Sequence, residues 1–354
     1  GIIASFLVIA GILIALQGAG SSVGWGFQLQ NPAVITMLIY LLFVIGLNLM
    51  GFFEVSARFA NFGGRLTGSE GVGGSFFTGV LATIVATPCT APFMGAAIGF
   101  ALTQNAAVSL LVFAFLGLGL ALPYLALSFI PALQKFLPKP GAWMETFRQL
   151  LAFPMFLTCA WLLWVLDQQV GEMGILGAAL GLTALSFAIW LSKVLPKKGV
   201  RRKVLIALAV FSALLAFGLL PVKPLGGTSV SLQGQVGAFG ETYSAAALDE
   251  ALASPAPVFV EMTAAWCITC KVNHATSLNI ESTKKLFTDK GVKFLVGDWT
   301  NYDPAITEYL NRFGRNGVPI YVYYGPPNAE GTRPEPKLLP QILTPGIVAD
   351  AIKV

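Results

Sequence analysis

From residue 71 to residue 134 the chain carries no charged side chain, the flanking charges being Glu70 and Lys135. Soluble domains carry charge on about a quarter of their residues, so a stretch of this length must be solvated by something other than water. Apolar uncharged runs fall at 1–17 and 31–53, at 75–103 and 106–131 within that stretch, and at 149–166, 174–192 and 204–220. Each is close to or above the roughly 20 residues that cross about 30 Å of hydrocarbon, which predicts seven membrane spans. The whole chain, 55% hydrophobic and 11% charged, agrees with that reading. The first run opens at Gly1 without the basic n-region or small-residue cleavage site of a signal peptide, so a fragment whose upstream part is missing is expected.

Charge orients the spans. Arg58 and Arg65 follow the second; Lys135, Lys139 and Arg148 follow the fourth; Lys193, Lys197, Lys198, Arg201, Arg202 and Lys203 follow the sixth. The short loops 18–30, 104–105 and 167–173 hold no Lys or Arg. Basic residues mark cytoplasmic loops, so everything after Pro221 is expected outside the cytoplasm, in the periplasm of a two-membrane cell. The net charge of +5 is then a matter of topology, and no nucleic-acid partner is expected; the lipid bilayer is.

The run 75–103 is too long for one straight span, since at 1.5 Å per residue it would reach roughly 43 Å. Within it, "ATPCTAPFMGAA" places Cys89 between Pro88 and Pro92. Each proline removes a helix N–H and crowds the preceding turn, which predicts a break near the midplane. Irregular backbone at that depth must be buried in protein or line a cavity, where a thiol can be met from water. A small core residue is the plain alternative for Cys89. Cys159, in "FLTCAWLLW", is read as packing between helices or against lipid.

From about residue 228 the character changes, and twelve of the seventeen acidic residues lie in this tail. "GGTSVSLQGQVGAFG", 226–240, reads as a linker. A helix pattern at 244–252 precedes the apolar strand 257–264, and "WCITC", 266–270, opens a helical stretch to about Asp289. A strand at "VKFLVGDW", a helix at "DPAITEYLNRFG", a strand in "GVPIYVYYG", a last strand in "KLLPQIL" and a helix in "TPGIVADAIKV" follow. This order, with CxxC closing the first core strand, resembles the thioredoxin fold.

Cys267 is expected at a helix N-terminus, where unpaired N–H groups and the helix dipole favour a thiolate; it is the candidate nucleophile and Cys270 the resolving thiol. Glu261, on the preceding strand, is placed to take the proton of Cys270. Val318 and Pro319 are expected to form a cis-proline turn facing the cysteines and, with Trp266, to receive a partner's extended chain. The alternative for CxxC is half a zinc site, which needs two more ligands, and the tail offers only His274. His274, the single histidine, is either an idle polar residue or a tuner of Cys267.

Taken together, "ATPCTAPFMGAAIGFAL", "LGLALPYLALSFIPAL", "LPKPGAWMETFRQLLAFPMF" and "AAWCITCKVN…GDWTNYDPAITEYLNRFGRNGVPIYVYY" resemble the DsbD family of thiol:disulfide interchange proteins, in particular its suppressor-of-copper-sensitivity variants. The resemblance implies a polytopic α-helical membrane domain of the DsbD/CcdA type at 1–225, a linker at 226–240 and an α/β thioredoxin-like domain at 241–354. It further implies that a membrane cysteine pair, with Cys89 as its second member, takes electrons from cytosolic thioredoxin. The pair would hand them to Cys267 and Cys270 for reduction of periplasmic disulfide-containing proteins in cytochrome maturation, isomerisation or metal tolerance. Redox-active cysteines are then the only redox groups, with no cofactor. The family's first membrane cysteine would lie upstream of Gly1, and His274 stands where members often carry glutamate. Two rival classes stay open: a membrane-anchored thiol oxidase or isomerase, since CxxC serves both directions, and a transporter fused to a thioredoxin-like domain. The uncharged stretch 71–134 argues against the second, because ion-coupled transporters carry ionisable residues in their spans.

Overall fold

The computed structural model describes residues 1–18, 27–52, 73–74, 76–80, 83, 106–129, 142–194, 240–328 and 331–352. The chain divides into two compact units, one holding the N-terminal helices and the other the residues from Gly240 onward.

In the first unit the apolar runs are helices: α1 (Ile2–Gly18), α2 (Pro32–Leu49), α3 (Ala106–Phe129) and α4 (Ala142–Val194). Helix α1 packs on α3 where Gly117 faces Ile3 and Phe6. Helix α2 packs on α4 around Gly46, whose missing side chain makes room for the Phe156 ring; Phe43 meets the same ring edge-on at 5.8 Å between centroids. Large apolar side chains such as Phe115, Leu150 and Leu157 stay exposed, as a lipid-facing surface requires. Three segments, Pro32–Leu49, Trp143–Glu172 and Gly174–Leu191, are long and apolar enough to cross a membrane.

The sequence predicts a loop at 167–173. Instead, helix continues through this stretch apart from Gly171, at φ 68° and ψ −169°, in the region that a side chain disfavours. A straight helix would also hold Cys159 and Ala178 roughly 28 Å apart, yet neighbouring residues of α2 touch both. The Cys159 thiol donates to the Ile39 carbonyl at 3.6 Å and the Tyr40 hydroxyl to the Ala178 carbonyl at 3.4 Å. The chain therefore folds back at Gly171, and α4 is two spans joined by a turn centred on one residue. Pro154 lies inside the first of them, five residues before Cys159. The third and seventh sequence spans, 75–103 and 204–220, lie outside the described residues apart from fragments of the third. Cys89, Pro88 and Pro92 lie outside them too.

The second unit is a five-stranded sheet with helices around it. Its elements are β1 (Glu241–Thr242), α5 (Ala245–Ala253), β2 (Val258–Thr263), α6 (Ile268–Asn273), a π turn (His274–Leu278), α7 (Glu281–Asp289), β3 (Lys293–Asp298), α8 (Pro304–Arg312), β4 (Ile320–Tyr324), β5 (Lys337–Leu338) and α9 (Pro345–Ile352). The strand order is β1-β3-β2-β4-β5, with β1, β3 and β2 parallel and β4 and β5 antiparallel to their neighbours. Local chemistry sets the helix starts. Ser244 caps α5 by accepting from the Ala247 N–H, and Asp303 caps α8 by accepting from Ala305 and Ile306, with Pro304 in the first turn.

Strand β2 is buried along its whole length, as a central strand should be. Alternation sends Phe259 and Glu261 to the same face. There Phe259 packs with Phe287, Phe294 and Tyr321, in a core completed by Leu278, Leu343 and Val348. Arg333 ties the β4–β5 connection to the end of α5, donating to the carbonyls of Leu252, Ser254, Ala256 and Gly325.

Burial pushes the Tyr309 hydroxyl far above the ordinary phenol range, and that of Tyr243 up to about 12. These phenols ionise more readily in the unfolded chain, so their contribution to stability is full below about pH 10 and falls as pH rises from there toward 12. Residues 228–354 expressed alone should fold and hold these phenols un-ionised until the fold is lost. An absorbance titration in the phenolate band should therefore coincide with loss of circular dichroism. Free titration of every tyrosine near the ordinary phenol value of about 10, with the fold intact, would contradict this packing.

Candidate functional site

The site begins where β2 ends. Ala264 accepts from the Cys267 N–H at 3.1 Å, a tight turn that delivers Cys267 to the N-cap of α6. Cys267 and Cys270 are disulfide-bonded with their Cα atoms 5.3 Å apart, and the Cys267 sulfur accepts from the Cys270 N–H at 3.1 Å. Cys267 keeps 7% of its surface exposed and Cys270 none. An incoming sulfur therefore has access only to Cys267, while Cys270 can act only from inside.

The cysteine loop is fastened to β3. Asp298, the last residue of that strand, accepts from both the N–H and the hydroxyl of Thr300, at 2.9 and 2.5 Å. The Thr300 hydroxyl oxygen in turn accepts from the Ala265 N–H at 2.7 Å, and the Thr300 carbonyl from the Trp266 indole at 3.4 Å. Trp266 is 7% exposed and packs against Trp299, so most of its ring is covered. The Val318–Pro319 peptide is cis; Val318 is half-buried and Pro319, entering β4, is buried.

Behind the cysteines lies Glu261. Register places it between Val296 of β3 and Tyr321 of β4. It is 0% exposed, and neither carboxylate oxygen has a hydrogen bond. His274 Nδ1 stands 3.5 Å from its Oε2, with the histidine side chain 30% exposed. Lys271 lies nearby: burial pushes its ammonium below the ordinary range, while Asp298 and Glu261 hold it up. Burial also drives the Tyr321 hydroxyl well above the phenol range, the Glu261 charge adding to this and a hydrogen bond from Asn273 opposing it.

Sequence reading named the cysteines, Glu261, Trp266, Val318 and Pro319, and left the supporting residues out. Asn273 is the chief of these. Its amide donates to the Tyr321 hydroxyl at 3.1 Å and the Gln341 carbonyl at 2.7 Å, and accepts from the Leu343 N–H at 3.2 Å, binding the end of α6 to β4 and to the segment before α9. Thr300 was equally unmarked, although the order Asp-Trp-Thr after an apolar strand is what an Asp-capped turn uses. Among the described residues no group of three or more His, Cys, Asp or Glu side chains is arranged to hold a metal.

Apolar helices of membrane-spanning length and a thioredoxin-like domain with a bonded CxxC pair define a multi-pass membrane protein of the thiol–disulfide class. Residues 2–168 match the family described as cytochrome C biogenesis protein transmembrane domain, and residues 241–326 match the thioredoxin-like family. The chain is similar over about nine tenths of its length to proteins named thiol:disulfide interchange protein DsbD. It is 30% identical over 349 residues to thiol:disulfide interchange protein DsbD 2 of Pseudomonas aeruginosa, covering 90% of this chain and 57% of that protein. It is 26% identical over 350 residues to DsbD of Haemophilus influenzae strain PittGG, covering 92% of this chain and 58% of that one. The chain thus spans less than two thirds of the length of these relatives. The solved C-terminal domain of Neisseria meningitidis DsbD in its reduced form is 25% identical, covers 31% of this chain and 95% of its own, and gives a TM-score of 0.25.

Cys267 is the more exposed member of the pair and Cys270 the fully buried one. After reduction, alkylation at mildly acidic pH should label Cys267 first and Cys270 only on unfolding, as peptide mass spectrometry of a time course would show. Faster labelling of Cys270 would reverse the two roles.

Proposed function

We propose that this chain is a membrane thiol:disulfide reductase whose 241–354 domain passes electrons through Cys267 and Cys270 to disulfide-containing partner proteins in the periplasm. The observation that carries the reading is the union, in one chain, of a DsbD-type membrane domain with a CxxC pair of unequal exposure at the end of a central strand. In this reading residues 1–225 form the electron-transfer domain of an inner-membrane protein and 226–240 the linker. The membrane cysteine Cys89, flanked by Pro88 and Pro92, takes electrons from cytosolic thioredoxin together with a second membrane cysteine. No cofactor intervenes, because thiol exchange itself carries the electron pair.

In this reading the reaction begins at the exposed sulfur of the pair. The Cys267 thiolate attacks a partner disulfide, one partner sulfur leaves as thiolate, and a mixed disulfide forms. Glu261 accepts the proton of the Cys270 thiol. The Cys270 thiolate then attacks the Cys267 sulfur, the intramolecular disulfide forms, and the second partner sulfur leaves. The partner gains two electrons and the Cys267–Cys270 pair loses them. In this reading Val318 and Pro319 offer backbone to the partner's extended chain, and Trp266 packs against Trp299.

Direction is what separates a reductase from an oxidase or isomerase, and it is tested in cells that make the full gene product. Cys89→Ala should leave the Cys267–Cys270 pair oxidised, and Cys159→Ala should leave it as in the parent, with thiol trapping as the readout. A pair that stays reduced without Cys89 would refute the relay. Oxidation caused only by Cys159→Ala would show that the wrong membrane cysteine had been chosen.

A further inference from the structure

We infer that His274 is a positioning residue that carries the proton of buried Glu261 to and from solvent during disulfide exchange. The inference rests on the reductase reading above and concerns a step that the reading leaves open. A carboxyl group that takes a proton from Cys270 in each turnover must release it again, and Glu261, at 0% exposure, has no direct route to water.

The geometry supplies one route. His274 follows Cys270 by four residues, so both side chains lie on one face of the helical segment. The His274 backbone N–H donates to the Cys270 and Lys271 carbonyls, which fixes the histidine one turn beyond the resolving cysteine. Its Nδ1 then reaches to 3.5 Å from Glu261 Oε2, while the side chain remains 30% exposed. That separation is longer than a formed N–H···O hydrogen bond, and both carboxylate oxygens are otherwise unbonded. A carboxyl group kept only for structure would have its lone pairs satisfied; this one is left open toward a half-exposed imidazole. Imidazole both accepts and releases protons near neutral pH, and through two different nitrogens. Other charged or titratable groups stand around the pair. Lys271 stands on the same helix, Asp298 closes β3 and is bonded to Thr300, and the Tyr321 hydroxyl on β4 is buried and accepts from Asn273.

The step balances. Cys270 loses its proton to Glu261 as it becomes the attacking thiolate. The protonated carboxyl group passes that proton to Nδ1, and the imidazolium releases one from Nε2 to water. No electrons move in this branch; the electron pair goes to the partner disulfide through sulfur alone.

The test uses the full chain in detergent micelles, reduced and then mixed with oxidised glutathione. Acid quenching and mass spectrometry give the lifetime of the Cys267–glutathione adduct from pH 5 to 8. His274→Ala and His274→Gln should each lengthen that lifetime about tenfold at pH 7, a modest share of what general acid–base catalysis contributes, and should flatten its pH dependence. Added imidazole should restore most of the rate to His274→Ala, which leaves room for it. Glu261→Gln should be slow and indifferent to imidazole. An unchanged lifetime in both histidine variants overturns the inference, as does a slow His274→Ala that imidazole does not relieve, since a purely structural role would give that result. If the wild-type chain forms no glutathione adduct at all, the reductase reading itself falls and takes the relay with it.

Discussion

A buried carboxyl group without a hydrogen bond, on the central strand, is the constraint around which the second unit is arranged. Burying a polar group that makes no hydrogen bond is costly, and Glu261 sits in the row of residues that otherwise builds the aromatic core with Phe259. An apolar residue there would serve packing better. The surroundings make sense of the choice: Val296 and Tyr321 hold it laterally in the sheet, and above it lies the segment that bears Cys270, Lys271 and His274. For the proposed role of Glu261 as base to one buried thiol, the stiffest mounting is a strand paired on both sides, and β2 is such a strand.

The same demand explains why the cysteine loop is tied from two directions. Asp298 and Thr300 hold Ala265 and Trp266 ahead of the cysteines, while Asn273 anchors the residues behind them to Tyr321 and to the 341–343 segment. These bonds join α6 to three separate parts of the sheet and its edge. Resolution of a mixed disulfide needs the Cys270 sulfur to approach Cys267 along a narrow line, and positioning of this kind is worth several kcal/mol of barrier. The polar groups responsible are buried and mutually satisfied, so they add rigidity without leaving further orphans beside Glu261.

Much of this was legible in the sequence because hydrophobic periodicity and punctuation carried it. The strand 258–263 reads as an apolar run in sequence, and the position of Glu261 on it, six residues before Cys267, makes that acid a candidate. Asp303-Pro304 announced the start of α8, and the cis bond at Val318–Pro319 fell where the CxxC pattern required a turn. What was not legible depends on contacts between distant residues. Asn273 looks like any polar residue on a helix until residues 341 and 343 come alongside it. Arg333 looks like a surface cation until four carbonyls converge on it. The turn at Gly171 was mistaken for a loop because Asp167 and Glu172 read as polar punctuation, although helical residues on both sides leave the reversal to a single glycine.

The membrane unit shows a second contrast, between a thiol that packs and one that can react. Cys159 is 5% exposed, with its sulfur turned to the Ile39 carbonyl across the interface of α2 and α4. Thiol exchange requires a sulfur that a second sulfur can reach. A helix with its backbone bonds intact offers no opening through which water or a second sulfur reaches that position; Pro154 lies more than a turn away. The chemistry asked of a membrane thiol therefore calls for broken backbone around it, and in this sequence only the Pro88 to Pro92 segment supplies a cysteine with a proline on each side. At the CxxC pair the balance between shielding and access is visible: Cys267 sits where β2 gives way to α6 with 7% of its surface exposed, and Cys270 is closed off one turn further in.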